Sequence, residues 1–75
     1  MKLLITENGN RYWMNDRKCF HRDNGPAIEY NDGAKEWYKN GKLHRDNGPA
    51  VECSDGYREW WLNGKKTGRA MGKFD

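Results

Sequence analysis

Two triplets in the 75-residue chain carry residue types suited to catalysis, His21-Arg22-Asp23 and His44-Arg45-Asp46. Each spells the His-Arg-Asp of a protein-kinase catalytic loop, whose Asp accepts the proton of a substrate hydroxyl. That chemistry also needs a Lys-bearing strand, an Asp-Phe-Gly and two lobes, and 75 residues do not hold them. The triplets are therefore read as turns, each with a local Arg-Asp pair and a His packed on a neighbouring Trp. Cys19, His21, His44 and Cys53 supply two thiols and two imidazoles, the donors zinc prefers. Their spacing, C-x-H and H-x8-C, matches no common zinc module, so neither a metal nor a cofactor is expected.

A third set is aromatic and basic. Trp13, Tyr38, Trp60 and Trp61 alternate with Lys and Arg, and such rings stack bases in single-strand binders. The same rings, with Arg, also carry most of the binding energy at protein interfaces. No nucleophile with a paired base and no phosphate loop is found, so the chain is read as a binder and not as an enzyme.

The elements that position these residues come from a repeat. HRDNGPAIEYNDGAKEWYKNGKL, residues 21–43, aligns without a gap on HRDNGPAVECSDGYREWWLNGKK, residues 44–66, with 15 identities over 23 positions. Cys53 takes the place of Tyr30, which marks it as drift within a copy. A shift of 24 lays Gly9, Arg11, Trp13 and Lys18 on Gly33, Lys35, Trp37 and Lys42, so residues 3–20 are a third, diverged copy. Its extra residue falls in the turn Asn15-Asp16-Arg17-Lys18, where insertions are tolerated. Residues 67–75 form a tail outside the pattern.

Within each copy, Asn8-Gly9, Asp32-Gly33 and Asp55-Gly56 separate short alternating runs, the signature of a two-residue type I′ hairpin. Counting outward from such a turn puts Leu4 across from Trp13, Ile28 across from Trp37 and Val51 across from Trp60. These six are expected to form the core face. The same count puts Ala27 opposite Tyr38 and Ala50 opposite Trp61 on a less buried face. It also sets Glu29 against Glu36 and Glu52 against Glu59, a like-charge conflict that Lys35, Arg58, Arg22 or Arg45 must neutralise. A second tight turn at Asn40-Gly41 and Asn63-Gly64 pairs Trp37 with His44 and Tyr38 with Leu43. Gly or Pro interrupts every window long enough for a helix, save in the tail.

The expected fold is all-β: one domain over residues 1–75, an antiparallel meander of three tandem hairpin repeats forming a small, elongated, twisted sheet. Such a chain buries only about 60% of its unfolded surface, so its core is thin. Hydrophobic residues make up 35% and charged residues 33%, with a net charge of +3 that is spread and not gathered. That balance permits nucleic-acid binding without indicating it. No apolar run reaches the length of a membrane span, and residues 1–5 are too few for the centre of a signal peptide. A soluble, reducing, cytoplasmic setting is expected.

The period, W-x-x-N-G-K-x-H followed by Asp-Gly, resembles the MORN repeat, and H-R-D-N-G-P-A-x-E-x-x-D-G-x-x-E-W-x-x-N-G-K is similar to the MORN-like repeats of bacteriophage and giant-virus proteins. The resemblance covers residues 3–66. Glu36 and Glu59 stand where the usual pattern has Gly, and Gly-Pro-Ala replaces its paired Gly, so the lipid associations of MORN proteins are not transferred. It implies a scaffold for protein contacts, encoded by a phage and inhibiting a host factor such as a CRISPR defence component in the host cytoplasm. The residues assigned to the partner are Tyr38, Trp61, Arg22, Arg45, Arg58 and Lys35. Open edge strands also invite a homodimer. The alternative is a nucleic-acid or nucleotide binder.

Overall fold

A computed structural model describes residues 2–71 of the chain. Among them there is no helix, and so none long and apolar enough to cross a membrane. Nine short antiparallel strands are formed: β1 (Lys2–Ile5), β2 (Arg11–Met14), β3 (Ile28–Glu29), β4 (Lys35–Glu36), β5 (Tyr38–Lys39), β6 (Lys42–Leu43), β7 (Val51–Glu52), β8 (Arg58–Leu62) and β9 (Lys65–Ala70). Seven of them make one open sheet in the order β1-β2-β3-β4-β7-β8-β9, and β5 with β6 makes a separate hairpin. The result is a slab of 42 × 28 × 16 Å, thin because no second layer covers it.

The turns set the register, and they differ from the two-residue reading. Thr6 N–H donates to Asn10 O, Tyr30 N–H to Ala34 O and Cys53 N–H to Tyr57 O. Each closes a three-residue loop, a type I turn followed by a left-handed residue that forms a bulge. Only the glycine is left-handed, with φ of 93° at Gly9, 97° at Gly33 and 96° at Gly56. Asp32 and Asp55 stay out of that region, and their carboxylates accept the N–H of Ala34 and Tyr57.

One more residue in the loop moves every partner by one. Leu4 pairs with Tyr12 and Leu3 with Trp13, Ile28 pairs with Glu36, and Val51 pairs with Glu59. The expected pairings Leu4/Trp13, Ile28/Trp37 and Val51/Trp60 are thereby corrected. So is the like-charge conflict: Glu29 faces Lys35, Glu52 faces Arg58, and Lys35 also faces Glu52. Opposite charges across a ladder support it.

The core moves with the register. Ala27 and Ala50 are fully buried and Ile28 nearly so, although the alanines were expected on the more open face. Ala27 donates its N–H to Glu36 O and accepts from Trp13 N–H, and Ala50 does the same with Glu59 O and Trp37 N–H. Trp13, Trp37, Val51 and Trp60 are half-buried. Leu4 is not core: it lies 48% exposed, because β1 is an outermost strand with nothing stacked on it.

Each tryptophan-bearing strand serves two partners. Its first half joins the next copy, as β2 joins β3 and β4 joins β7. Its second half turns back on its own copy, through Met14 with Phe20 and β5 with β6. Here the two-residue reading holds: Tyr38 pairs with Leu43, His44 N–H reaches Trp37 O, and Asn40 and Gly41 are both left-handed. In the last copy β9 takes both roles, pairing with β8 from Leu62 to Arg58 with one irregularity at Trp60/Trp61. The tail from Thr67 to Ala70 is thus strand; residues 72–75 lie outside the described residues.

Candidate binding surface

The H-R-D-N-G-P-A connectors act as rivets between copies. His21 Nδ1 accepts the Asn40 backbone N–H at 2.9 Å. A ring nitrogen that accepts carries no hydrogen, so Nε2 holds it and donates to Asp23 at 3.0 Å. His44 repeats both contacts, with Asn63 N–H and with Asp46. The His-Arg-Asp triplets are therefore committed to holding the next tight turn in place.

The arginines do a second job. The Arg22 guanidinium lies 3.8 Å above the Trp13 ring and Arg45 lies 3.7 Å above Trp37. Arg22 also donates to Pro26 O and Glu29, and Arg45 to Pro49 O and Glu52. Gly25 and Gly48 make room: a Cβ there would stand 3.1 and 3.2 Å from the Arg22 and Arg45 Cζ atoms. The conserved shape of the connector within this chain follows from that stacking. Between the connectors 22–25 and 44–47 runs a shallow groove of about 360 Å³, with Trp37 and Tyr38 on its wall.

The other residues assigned to a partner are placed less freely than the sequence implied. Tyr38 is half-buried; its hydroxyl donates to Glu36 and its ring tilts on Phe20, which in turn stacks on Tyr12. Burial first, and the Glu36 charge second, push its phenol well above the usual tyrosine range. Trp61 donates its indole N–H to Glu59. Glu59 also accepts from the Tyr57 hydroxyl and Lys66, and the donors, led by Tyr57, hold its carboxyl below the ordinary value. Lys35 and Arg58 are exposed. Cys19, His21, His44 and Cys53 do not converge, and no group of three metal-ligating side chains forms among the described residues.

Sequence reading named the open edges without telling them apart. β1 exposes three consecutive aliphatic residues: Leu3 at 46%, Leu4 at 48% and Ile5 at 58%. β9, at the other edge, carries Lys65, Lys66 and Arg69 instead. Basic side chains are a common guard against edge pairing, and β1 lacks that guard past Lys2. The signal was visible in Lys2-Leu3-Leu4-Ile5, an apolar run with no polar alternation. The chain matches no protein-family model, and no curated protein or solved structure is significantly similar to it.

Proposed function

We propose that this chain is a small protein-binding module that docks an extended segment of a partner protein along β1. The observation that carries the reading is the unguarded edge: three exposed aliphatic side chains on a strand whose outer main-chain groups face no other strand among the described residues. Strand addition supplies main-chain hydrogen bonds for affinity, and side chains on alternating faces supply specificity. The paired, stacked state of Arg22, Arg45, Tyr38 and Trp61 supports a scaffold role for the centre of the sheet. The likeness of the repeats to MORN-like phage repeats extends the reading to a phage-encoded inhibitor of a host protein in the bacterial cytoplasm.

Capture from nuclease-treated bacterial lysate by the wild type and by Leu4→Lys tests this. Leu4 is exposed, so the variant keeps the fold while placing a charge on the edge. A stoichiometric protein held by the wild type and lost by Leu4→Lys is expected. Loss of all bound material on nuclease treatment would move the reading to nucleic acid, and equal capture by both proteins would remove β1 as the site. Concentration-dependent self-association abolished by Leu4→Lys, with no foreign protein captured, would replace the partner by a second copy.

A further inference from the structure

Two carboxylates on one face of the sheet stand in equivalent places and are served differently. Directly paired residues of a ladder share a face, and one row crosses the sheet as Tyr12, Ile28, Glu36, Val51, Glu59 and Arg69. Glu36 and Glu59 hold the same position in successive copies. Both are half-buried.

Around Glu59 the chain builds a complete cation site. The Tyr57 hydroxyl and the Trp61 indole N–H donate to its carboxylate at 2.7 and 2.9 Å, and the Lys66 ammonium reaches it at 3.1 Å. Lys66 is placed for this by its position across the ladder from Trp61. Arg69 faces Glu59 from the same strand.

Around Glu36 the neutral donor is present and the cation is not. Tyr38, which takes the place of Trp61, donates its hydroxyl to Glu36 Oε1 at 3.0 Å. Tyr30 feels the same carboxylate, its phenol raised by burial first and by the Glu36 charge second. Across from Tyr38, where the next copy sets Lys66, stands Leu43. Across from Glu36 itself stand Ile28 and Val51, both apolar. None of the ion pairs among the described residues includes Glu36. Apolar flanks screen a carboxylate less than open water does, so its pull on a cation is stronger.

We propose that Glu36, with Tyr38 and Tyr30 beside it, is the seat for a lysine side chain presented by a partner protein. The ammonium rests on the carboxylate, and the stem lies over Val51 and Leu43, the apolar residues across from Glu36 and Tyr38. Ammonium fits better than guanidinium on two grounds. Lys66 fills the equivalent site within the chain, and the Tyr38 hydroxyl already holds Oε1, which one arm of a bidentate fork would need. The aromatic surface continues from Tyr38 through Phe20 to Tyr12, giving a protein that carries the lysine a wider contact than a free amine would use. The seat lies on β4, in the middle of the sheet, and stands independently of docking along β1.

The test is a titration of the intact ¹³C-labelled protein, at fixed ionic strength, with acetyl-Ala-Lys-Ala-amide, followed at the side-chain carboxyl carbons of Glu29, Glu36, Glu52 and Glu59. A saturable shift at Glu36, with the other three unmoved, is expected. The peptide with norleucine in place of lysine gives none, and the peptide with arginine binds more weakly. Leu43→Lys, which sets within the chain the cation that Lys66 supplies to Glu59, abolishes the response while the remaining spectrum is kept. No saturable shift at Glu36, equal shifts at the four carboxyls, a norleucine peptide as effective as the parent, or an undiminished response in folded Leu43→Lys would overturn the proposal. So would a response to n-butylammonium with none to the peptide, which would give the seat to a small amine.

Discussion

The guanidinium of Arg45 lies 3.7 Å above the ring of Trp37, and the pair ties one copy of the repeat to the copy before it. Neither residue is deeply buried, yet together they replace the layer that a chain of this length cannot build. Arg45 adds bonds to Pro49 O and Glu52, so the stack also fixes where the chain re-enters the sheet at the buried Ala50. Stability in this molecule is distributed over such joints and not concentrated in a core of three small or branched residues.

Removing the joint has a measurable cost. Arg45→Ala loses a cation-π contact and the hydrogen bonds to Pro49 O and Glu52, and is expected to destabilise by about 2 kcal/mol. Arg45→Lys restores little, since an ammonium neither stacks nor bridges two acceptors in one plane. Chemical denaturation of the three proteins checks both statements.

The bulged turns make a separate prediction. Gly33 has a φ of 97° and open space around its missing Cβ. Gly33→Ala therefore costs only what the left-handed backbone costs an L residue, about 1–2 kcal/mol. A synthetic chain with D-alanine at position 33 should be as stable as the wild type, which separates backbone handedness from any clash.

Acid sensitivity should include a contribution from Glu59. Its carboxyl is held below the ordinary value of 4.5, by the Tyr57 hydroxyl above all. A depressed folded value means that the stabilisation is full above 4.5 and is lost as the pH falls through the folded value. Glu59→Gln is thus expected to be less stable than the wild type at neutral pH, with the deficit shrinking below 4.5. Thermal unfolding of both proteins against pH reads this difference.

Tyr38 acts at the other end of the scale. Its phenol is raised by burial and by Glu36, so the unfolded chain ionises first as the pH passes 10. The stabilisation is present below 10 and is lost as the pH rises towards the folded value. Tyr38→Phe, short of the hydrogen bond to Glu36, costs about 1 kcal/mol at neutral pH, and its gap to the wild type should narrow above pH 10.

Much of this fold was legible because copies aligned on one another, and a feature present twice is seldom accidental. The tight turns at Asn40-Gly41 and Asn63-Gly64 were read correctly down to the partners of Trp37 and Tyr38. The turn at Asn8-Gly9, with the same dipeptide, was not. What separates them lies far along the chain: Asn40 and Asn63 donate their N–H groups to His21 and His44, which hold both turn residues left-handed. In the Asp-Gly turns the carboxylate instead caps the N–H two residues on and favours the type I geometry. Local sequence does not encode which of these anchors is present. That single residue of loop length goes with Ala27 and Ala50 lying in the core and not on the more open face.

The residues assigned to a partner were chosen by type, and the structure shows how each is engaged within the sheet. Tyr38, Trp61, Arg22 and Arg45 were selected because their types suit interfaces, but a thin sheet spends such residues on itself. Arg58 is the assigned arginine that stays exposed, and it faces Glu52 across the ladder. The apolar edge was overlooked for the opposite reason, since β1 has the composition of a core strand and only its place at the end of the order exposes it.

The most direct measurement is amide hydrogen exchange along β1, free and in the purified complex with the captured protein. The account predicts that the β1 amides not paired to β2 exchange rapidly in the free protein and become protected in the complex, while those of β9 do not change. Unchanged exchange throughout Lys2–Ile5 on binding would contradict it.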